Sequence, residues 1–411
     1  LHRLIRRQRQ MCIRDRNSMG YGTSEGAPED KRMKRCLCAL LAVCLMLPLA
    51  GCWNYRGLNE MTIVAGMAVD EADDGQYLMT FEVMDLSQPT KTAGPNSNLV
   101  FAKGGSMLEA IRNAKRQLAS KLYFGNMQIM VISHQIAERE GLDAILDFAL
   151  RDSEMRETME LVVSREETAR AILSSDEKSS GAVSYDISRI IREDARVTGS
   201  LYSAQFYRVY NDFKIPGMNV VLPVFYLASE PDSEKKHVEA YGCAVFRSSL
   251  LAGILSSEET KYMLMVNGPL TGGVLTLYEP EITQNNISLE IKKVESFMSY
   301  DNNNGKIAMK LDIKINAYFA EFPHDKSEGD NPVLDRVEKS AEKLVQENLR
   351  NVIKKLQTQY QSDALGMGSL IYRTNLPLWR QISGQWNEIY QTLPVDVTVK
   401  IYLANTAMVR E

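Results

Sequence analysis

The sequence predicts an α+β protein of more than one domain, with mixed and antiparallel sheets packed by helices. Three observations carry this. Strand-like and helix-like runs alternate through the first half, the pattern of a sheet covered by helices. Two stretches of the second half, 307–319 and 395–403, place apolar residues at every other position, as strands with one buried face do. A long amphipathic helix lies between them.

In chain order, Met61 to Asp70 and Tyr77 to Leu86 are β-rich runs joined by the acidic, Gly-containing turn Glu71 to Gln76, so they read as a hairpin. Ser106 to Leu122 puts Leu108, Ile111, Ala114, Leu118 and Leu122 at helical spacing, and Met127 to Ile132 follows as a short strand. Ile136 to Leu150 predicts a second helix, Met159 to Val163 a strand, and Glu166 to Leu173 a third helix. The polar stretch Ser174 to Gly181 is a candidate hinge between subdomains. Helices are expected over Ser184 to Arg196 and Ser203 to Phe213. Val220 to Leu227 reads as a strand, placed at a sheet edge because Pro223 has no N–H to give a neighbour. Ser229 to His237, charged and containing Pro231, reads as a linker. Beyond it, Ile307, Met309, Leu311, Ile313, Ile315, Ala317 and Phe319 mark one strand, and Val395, Val397, Val399, Ile401 and Leu403 another. Val333 to Leu356 carries a stripe from Leu334 through Val345 to Leu356, suited to packing on that sheet, and Pro332 suits its first turn. The expected organisation is thus a leader (1–32), a signal segment (33–51), an N-terminal α+β region (52–230) with its hinge near 174–181, and a C-terminal α+β domain (238–411).

The leader is Arg-rich and patternless, and we expect it to be no part of the native protein. Met33 is the better start: Lys34 and Arg35 form a charged n-region, and Cys36 to Leu47 run apolar without a charge. That core, roughly a dozen residues, is too short to span a bilayer, which takes ~20. Leu49-Ala50-Gly51-Cys52 follows and resembles the lipobox of bacterial lipoproteins. The thiol of Cys52 is therefore the expected site of a diacylglyceryl group, whose two chains suffice for stable anchoring at ~0.8 kcal/mol per buried CH₂. The protein is expected on the outer face of a membrane.

Composition narrows the function. Of six cysteines, Cys12, Cys36, Cys38 and Cys44 precede Cys52 and only Cys243 follows it, which leaves no intramolecular disulfide framework and no thiolate metal site. Ten of the 48 basic and four of the 52 acidic residues precede Cys52, so the chain from there on carries a net charge of −10. Nucleic-acid binding, which needs a clustered basic face, is not expected.

Catalytic patterns are thin. His134, His237 and His324 are scattered, and none forms a metal-spaced pair. His134 and Glu138 suit one helix face but make no site alone. Gly104-Gly105, Gly272-Gly273 and Gly366-Met367-Gly368 lack the companions of a phosphate loop and read as turns. Glu258-Glu259 reads as solvated charge. Arg151, Asp152 and Glu154 read as a helix-end cluster capping a turn, and Trp379 and Trp386, seven apart, as core residues of one helix face. No catalytic, metal or cofactor-binding residue is assigned, and no enzyme activity is expected.

Several segments in order resemble one family. They are Gly51-Cys52-Trp53-Asn54-Tyr55-Arg56-Gly57-Leu58-Asn59-Glu60 with Ile63 to Asp70; Leu122-Tyr123-Phe124-Gly125-Asn126 to Ile132; and Phe148 to Arg156. Gly242-Cys243-Ala244-Val245-Phe246 through Leu251-Ala252-Gly253 and Ser256 to Thr260 come next, then Asp363 to Gly368, Trp379 and Trp386-Asn387. Together they resemble the Ger(x)C spore germination lipoproteins, the C subunits of germinant receptors in spore-forming bacteria. The chain departs from that pattern at Asn54-Tyr55-Arg56-Gly57, where Asp-Arg-Arg-Glu is common, and at Ser369, where an acid is common. The resemblance implies a three-domain ectodomain on the spore inner membrane. It also implies two integral-membrane partners, an A-type and a transporter-like B-type subunit, the latter the expected place of germinant recognition. Two rival classes stand beside it. A solute-binding lipoprotein would show two similar lobes around a cleft, and an extracytoplasmic hydrolase would show a His-based constellation.

Overall fold

The computed structural model describes residues 35–41, 61–85, 96–176, 179, 181–229, 235–268, 270–280, 282, 285–303, 305–321 and 331–404. The chain divides into units 1–57 and 58–411. Of the first, residues 35–41, inside the predicted signal segment, are helical and exposed. Cys52 lies outside the described residues.

Unit 58–411 is α+β, as its sequence predicts, and holds two sheets. The larger has nine strands: β1 (Met61–Glu71), β2 (Tyr77–Asp85), β3 (Asn96–Gly104), β4 (Lys121–Tyr123), β5 (Ile129–Ile132), β6 (Glu160–Ser164), β7 (Val221–Ser229), β8 (Lys236–Arg247) and β9 (Leu250–Ser256). Their order is β3-β2-β1-β5-β6-β7-β8-β9, with β4 also beside β1. Its centre, β1-β5-β6-β7, is parallel and its flanks are antiparallel. The smaller sheet, β10 (Val274–Tyr278), β11 (Asn286–Asn303), β12 (Lys306–Glu321) and β13 (Val395–Ala404), runs in chain order, with β12 and β13 parallel. Between those two strands the chain makes the long helix α8 (Asn331–Lys355) and three short helices.

The predicted hairpin is β1–β2, its turn closed at Gly75 with φ +73°, a conformation that favours glycine. The predicted helix from Ser106 to Leu122 is shorter. α1 spans Met107–Ala114, a 3₁₀ turn carries the chain to Gln117, and Leu122 belongs to β4. The face it buries is Met107, Ala110 and Ala114; of the predicted stripe Ala114 is buried, Ile111 and Leu118 pack against the core, and Leu108 departs at 45% exposed. The expected helix from Ile136 to Leu150 is two, α2 (His134–Arg139) and α3 (Asp143–Arg151). They break at Gly141, whose φ of +76° and 2.5 Å approach of an added Cβ to the Ser249 carbonyl leave room for no other residue.

Strand β7 is not an edge strand: it pairs with both β6 and β8. Pro223 is tolerated because β6 reaches β7 only at Val224 and Phe225, so its missing N–H falls where that ladder has not begun. α4 (Ala169–Leu173), α5 (Val183–Val197) and α6 (Phe206–Lys214) complete the first half.

Carboxylates of the sheet seat two of these helices. Asp70 at the end of β1 accepts the N–H groups of Ala169 (2.6 Å) and Arg170 (3.0 Å), the first residues of α4. Glu82 of β2 does the same for α5 through Val183 and Ser184. Both supply from a distance the acceptors that helix N-termini lack. Cys243 is fully buried in β8, its sulfur accepting from the Tyr202 N–H at 3.4 Å. Burial pushes its thiol up to about 12, which makes it an inert core residue.

Candidate functional site at the joint between the sheets

The segment after α8 ties the smaller sheet to the larger. A π turn (Leu356–Tyr360) ends the helix, and Gln361 reverses the chain with φ +49°. α9 (Met367–Thr374), α10 (Leu376–Ile382) and α11 (Trp386–Thr392) follow. The turn is bound to β8 and β9 by three side chains. Tyr360 OH donates to the Ile254 carbonyl at 2.7 Å, Ser362 Oγ to Phe246 O at 2.5 Å, and Arg247 Nη1 to Gln361 Oε1 at 2.7 Å. The Tyr360 ring lies directly on Gly253, where an added Cβ would come within 2.1 Å of it.

Asp363 is the centre of this joint. Its carboxylate accepts from Met367 N (2.9 Å), Gly368 N (2.7 Å) and Trp386 Nε1 (3.1 Å), so one buried side chain caps α9 and holds α11 against it. Its own carbonyl accepts from Asn219 N at 3.1 Å, and Ser369 N donates to Gly217 O at 2.8 Å, which ties the clamp to the strand leading into β7. Gly217 and Gly368 let the two backbones meet: a Cβ on Gly217, already at φ +73°, would sit 2.5 Å from the Gly368 carbonyl carbon. Trp379 and Trp386 are buried with ring centroids 5.6 Å apart. Beside them is a cavity of about 290 Å³ reached by Asn219, Asp363 and Asn387. Burial pushes the Asp363 carboxyl up to about 6, while its N–H donors pull the other way.

The segment Ser256 to Thr260 builds a second tie. Ser256 and Glu259 form a capping box at the start of α7 (Ser257–Asn267), and Glu259 also pairs with Lys355 of α8 at 2.7 Å. Glu258 pairs with Lys261, itself only 8% exposed, at 2.8 Å. Reading Glu258-Glu259 as solvated charge is therefore corrected for Glu259, which ties α7 to α8; Glu258 is 63% exposed and its pair with Lys261 stays within α7.

Other singled-out residues lie apart from the joint. His134 Nε2 meets Glu138 at 2.9 Å on α2, Arg151 pairs with Asp147 at 2.8 Å, and Asp152 accepts the Glu154 N–H at 2.9 Å while Glu154 pairs with Lys121. Among the described residues no group of three His, Cys, Asp or Glu side chains could hold a metal ion. The role of Asp363 was not read from the sequence. Its signal was an Asp four residues before a helix start, with glycines at 366 and 368.

Two sheets clamped by a buried carboxylate and two tryptophans in tilted contact define a class of two-part α+β assembly. Residues 54–227 match the spore germination protein N-terminal domain, and residues 241–407 match the spore germination B3/GerAC-like C-terminal domain. The chain belongs to the Ger(x)C family of spore germination proteins. It is similar to spore germination protein KC of Bacillus subtilis (strain 168), 23% identical over 407 residues that cover 92% of this chain and 97% of that protein. It is similar as well to spore germination protein B3 of the same organism, 22% identical, with 87% and 95% covered. In fold it resembles the crystal structure of the GerBC protein, with a TM-score of 0.56 and 19% identity over 82% of this chain and 96% of that one.

Proposed function

We propose that the protein is the lipid-anchored, non-catalytic C subunit of a spore germinant receptor, held through Cys52 on the outer face of the cell or spore inner membrane. There it assembles with an A-type and a transporter-like B-type integral-membrane subunit. One observation carries this reading: both spore germination domains stand in order behind a signal core and a lipobox ending at Cys52. Among the described residues no helix is long and apolar enough to cross a membrane, which agrees with attachment by lipid.

Co-purification from spore membranes in mild detergent tests the assembly. Multi-spanning subunits should come with the lipoprotein, and their absence would sink the receptor reading. Cys52→Ala should move the protein from the detergent phase to the aqueous phase, because it removes both acyl chains; unchanged partition would remove the lipid assignment. Germinant recognition belongs to the membrane partners in this reading. Calorimetric titration with amino acids, sugars and nucleosides should show no affinity tighter than about millimolar, or −4 kcal/mol. A saturable micromolar isotherm would overturn that part.

A further inference from the structure

Far from the joint, at the outer edge of the larger sheet, lies a groove of about 490 Å³ between β3, the turn after α1, and α4. Its floor is apolar, made by Leu78, Phe101 and Ala102. Phe101 is 44% exposed although it sits on a strand. The groove is also a basic spot on an acidic chain. Lys103, Arg116 and Arg170 line it, and the Arg170 guanidinium lies over the Phe101 ring, 4.4 Å from its centroid.

The local acids are already engaged. Asp74 pairs with Lys103 at 3.4 Å, Glu109 accepts the Gly105 N–H at 2.9 Å, and Asp70 is buried on the N–H groups of Ala169 and Arg170. Among the described residues neither Arg116 nor Arg170 has an acid hydrogen-bonded to its guanidinium. The strand edge is closed to a further strand here, since Gln117 and Asn113 donate to the carbonyls of Phe101 (2.7 Å) and Lys103 (2.9 Å). An added peptide strand is therefore excluded as occupant.

We propose that this groove binds a small amphipathic carboxylate. Its anionic group is held by Arg116 and Arg170, and its apolar body lies on Leu78, Phe101 and Ala102. Guanidinium forks suit a carboxylate, and the apolar floor supplies burial that a bare anion would not use. The two guanidinium groups also set a selection rule. An α-amino acid would bring its ammonium against Arg116 and Arg170, so the site takes the anion and rejects the zwitterion. It is thus a different site, for different chemistry, from any amino-acid germinant site on a membrane partner, and it does not depend on the receptor reading.

The test uses the full chain in mild detergent, with empty micelles as the blank, and three probes of one shape: 3-phenylpropanoate, phenylalanine and 3-phenylpropylamine. Ligand-observed NMR should show saturable binding of 3-phenylpropanoate, at least about tenfold weaker binding of phenylalanine, and none of the amine. Arg116→Gln with Arg170→Gln should weaken 3-phenylpropanoate by about tenfold or more. Equal binding of the three probes, no saturation by the carboxylate, or a double variant that binds as the parent does would each overturn the proposal. Should the double variant not fold, the comparison of probes on the unaltered chain decides alone.

Discussion

Asp363→Ala should cost roughly 3–5 kcal/mol of stability, because it strands three buried donors at once. The N–H groups of Met367 and Gly368 and the Trp386 indole lose their only common acceptor, and the void left beside Trp379 and Trp386 is too constrained by Gly217 for the backbones to close on it. Chemical denaturation followed by tryptophan fluorescence reads this directly, since two of the three tryptophans stand at the site. A midpoint within about 0.5 kcal/mol of the parent would show that the clamp does not hold the joint. Asp363→Asn separates shape from charge. It fills the same space, and its amide oxygen can still accept from Gly368 N and Trp386 Nε1, but its N–H₂ then faces the Met367 N–H, so it should lose a smaller part of the same stability.

The same residue makes stability depend on pH. Burial raises the Asp363 carboxyl from the ordinary 3.8 to about 6, so the folded chain holds that proton more tightly than the unfolded chain. Between those values the folded state binds more protons, and the stability this group contributes falls as pH rises from about 4 to about 6. Asp363→Asn has no proton to exchange there. The difference in stability between parent and variant should therefore change across that window and level off above it.

What the sequence made legible was local. The β1–β2 hairpin, β12, β13 and α8 were readable because period-2 or helical spacing survives within one element and a turn residue such as Gly75 marks its end. β11 was not, since a bulge between Ile291 and Lys293 breaks its alternation and Phe297 points to solvent. Nor were β8 and β9, whose ladder slips between Val245 and Phe246. The anchor proposed at Cys52 rests on a few adjacent residues, which lie outside the described residues. The joint could not be read that way, because Asp363 acts with Gly217, Asn219 and Trp386, far apart in sequence, and only packing brings them together. The segments that carry the family resemblance gain a physical reason in this way: Gly253 under Tyr360 seats the turn after α8 on β9, Glu259 on Lys355 joins α7 to α8, and Asp363 on Trp386 holds α11 within the joint.

Glu82→Ala should be as costly as the loss of Asp363, again roughly 3–5 kcal/mol, but its effect should be confined to the other end of the molecule. Glu82 is fully buried in β2. One carboxylate oxygen accepts from Ser97 Oγ at 2.7 Å and Val183 N at 2.9 Å, the other from Ser184 N at 2.9 Å and Ser184 Oγ at 2.5 Å. α5 has no cap of its own, since Ala182 stands at its N-cap, so this carboxylate is what satisfies its first N–H groups. The helix is pressed onto the strand as well: Gly66, paired with Glu82 across β1 and β2, would bring an added Cβ within 2.1 Å of Ser184 Oγ. Removing the carboxylate therefore leaves four buried donors in a seat too tight to admit water in their place. Hydrogen exchange should show protection lost first across Val183–Val197, while the amides of α9 and α11 keep theirs, because the joint at Asp363 does not share these partners. Loss of protection at both ends together would mean that the two sheets unfold as one cooperative unit. Unchanged protection in α5 would mean that apolar burial of Val183, Ile187 and Ile191 seats the helix without its distant cap.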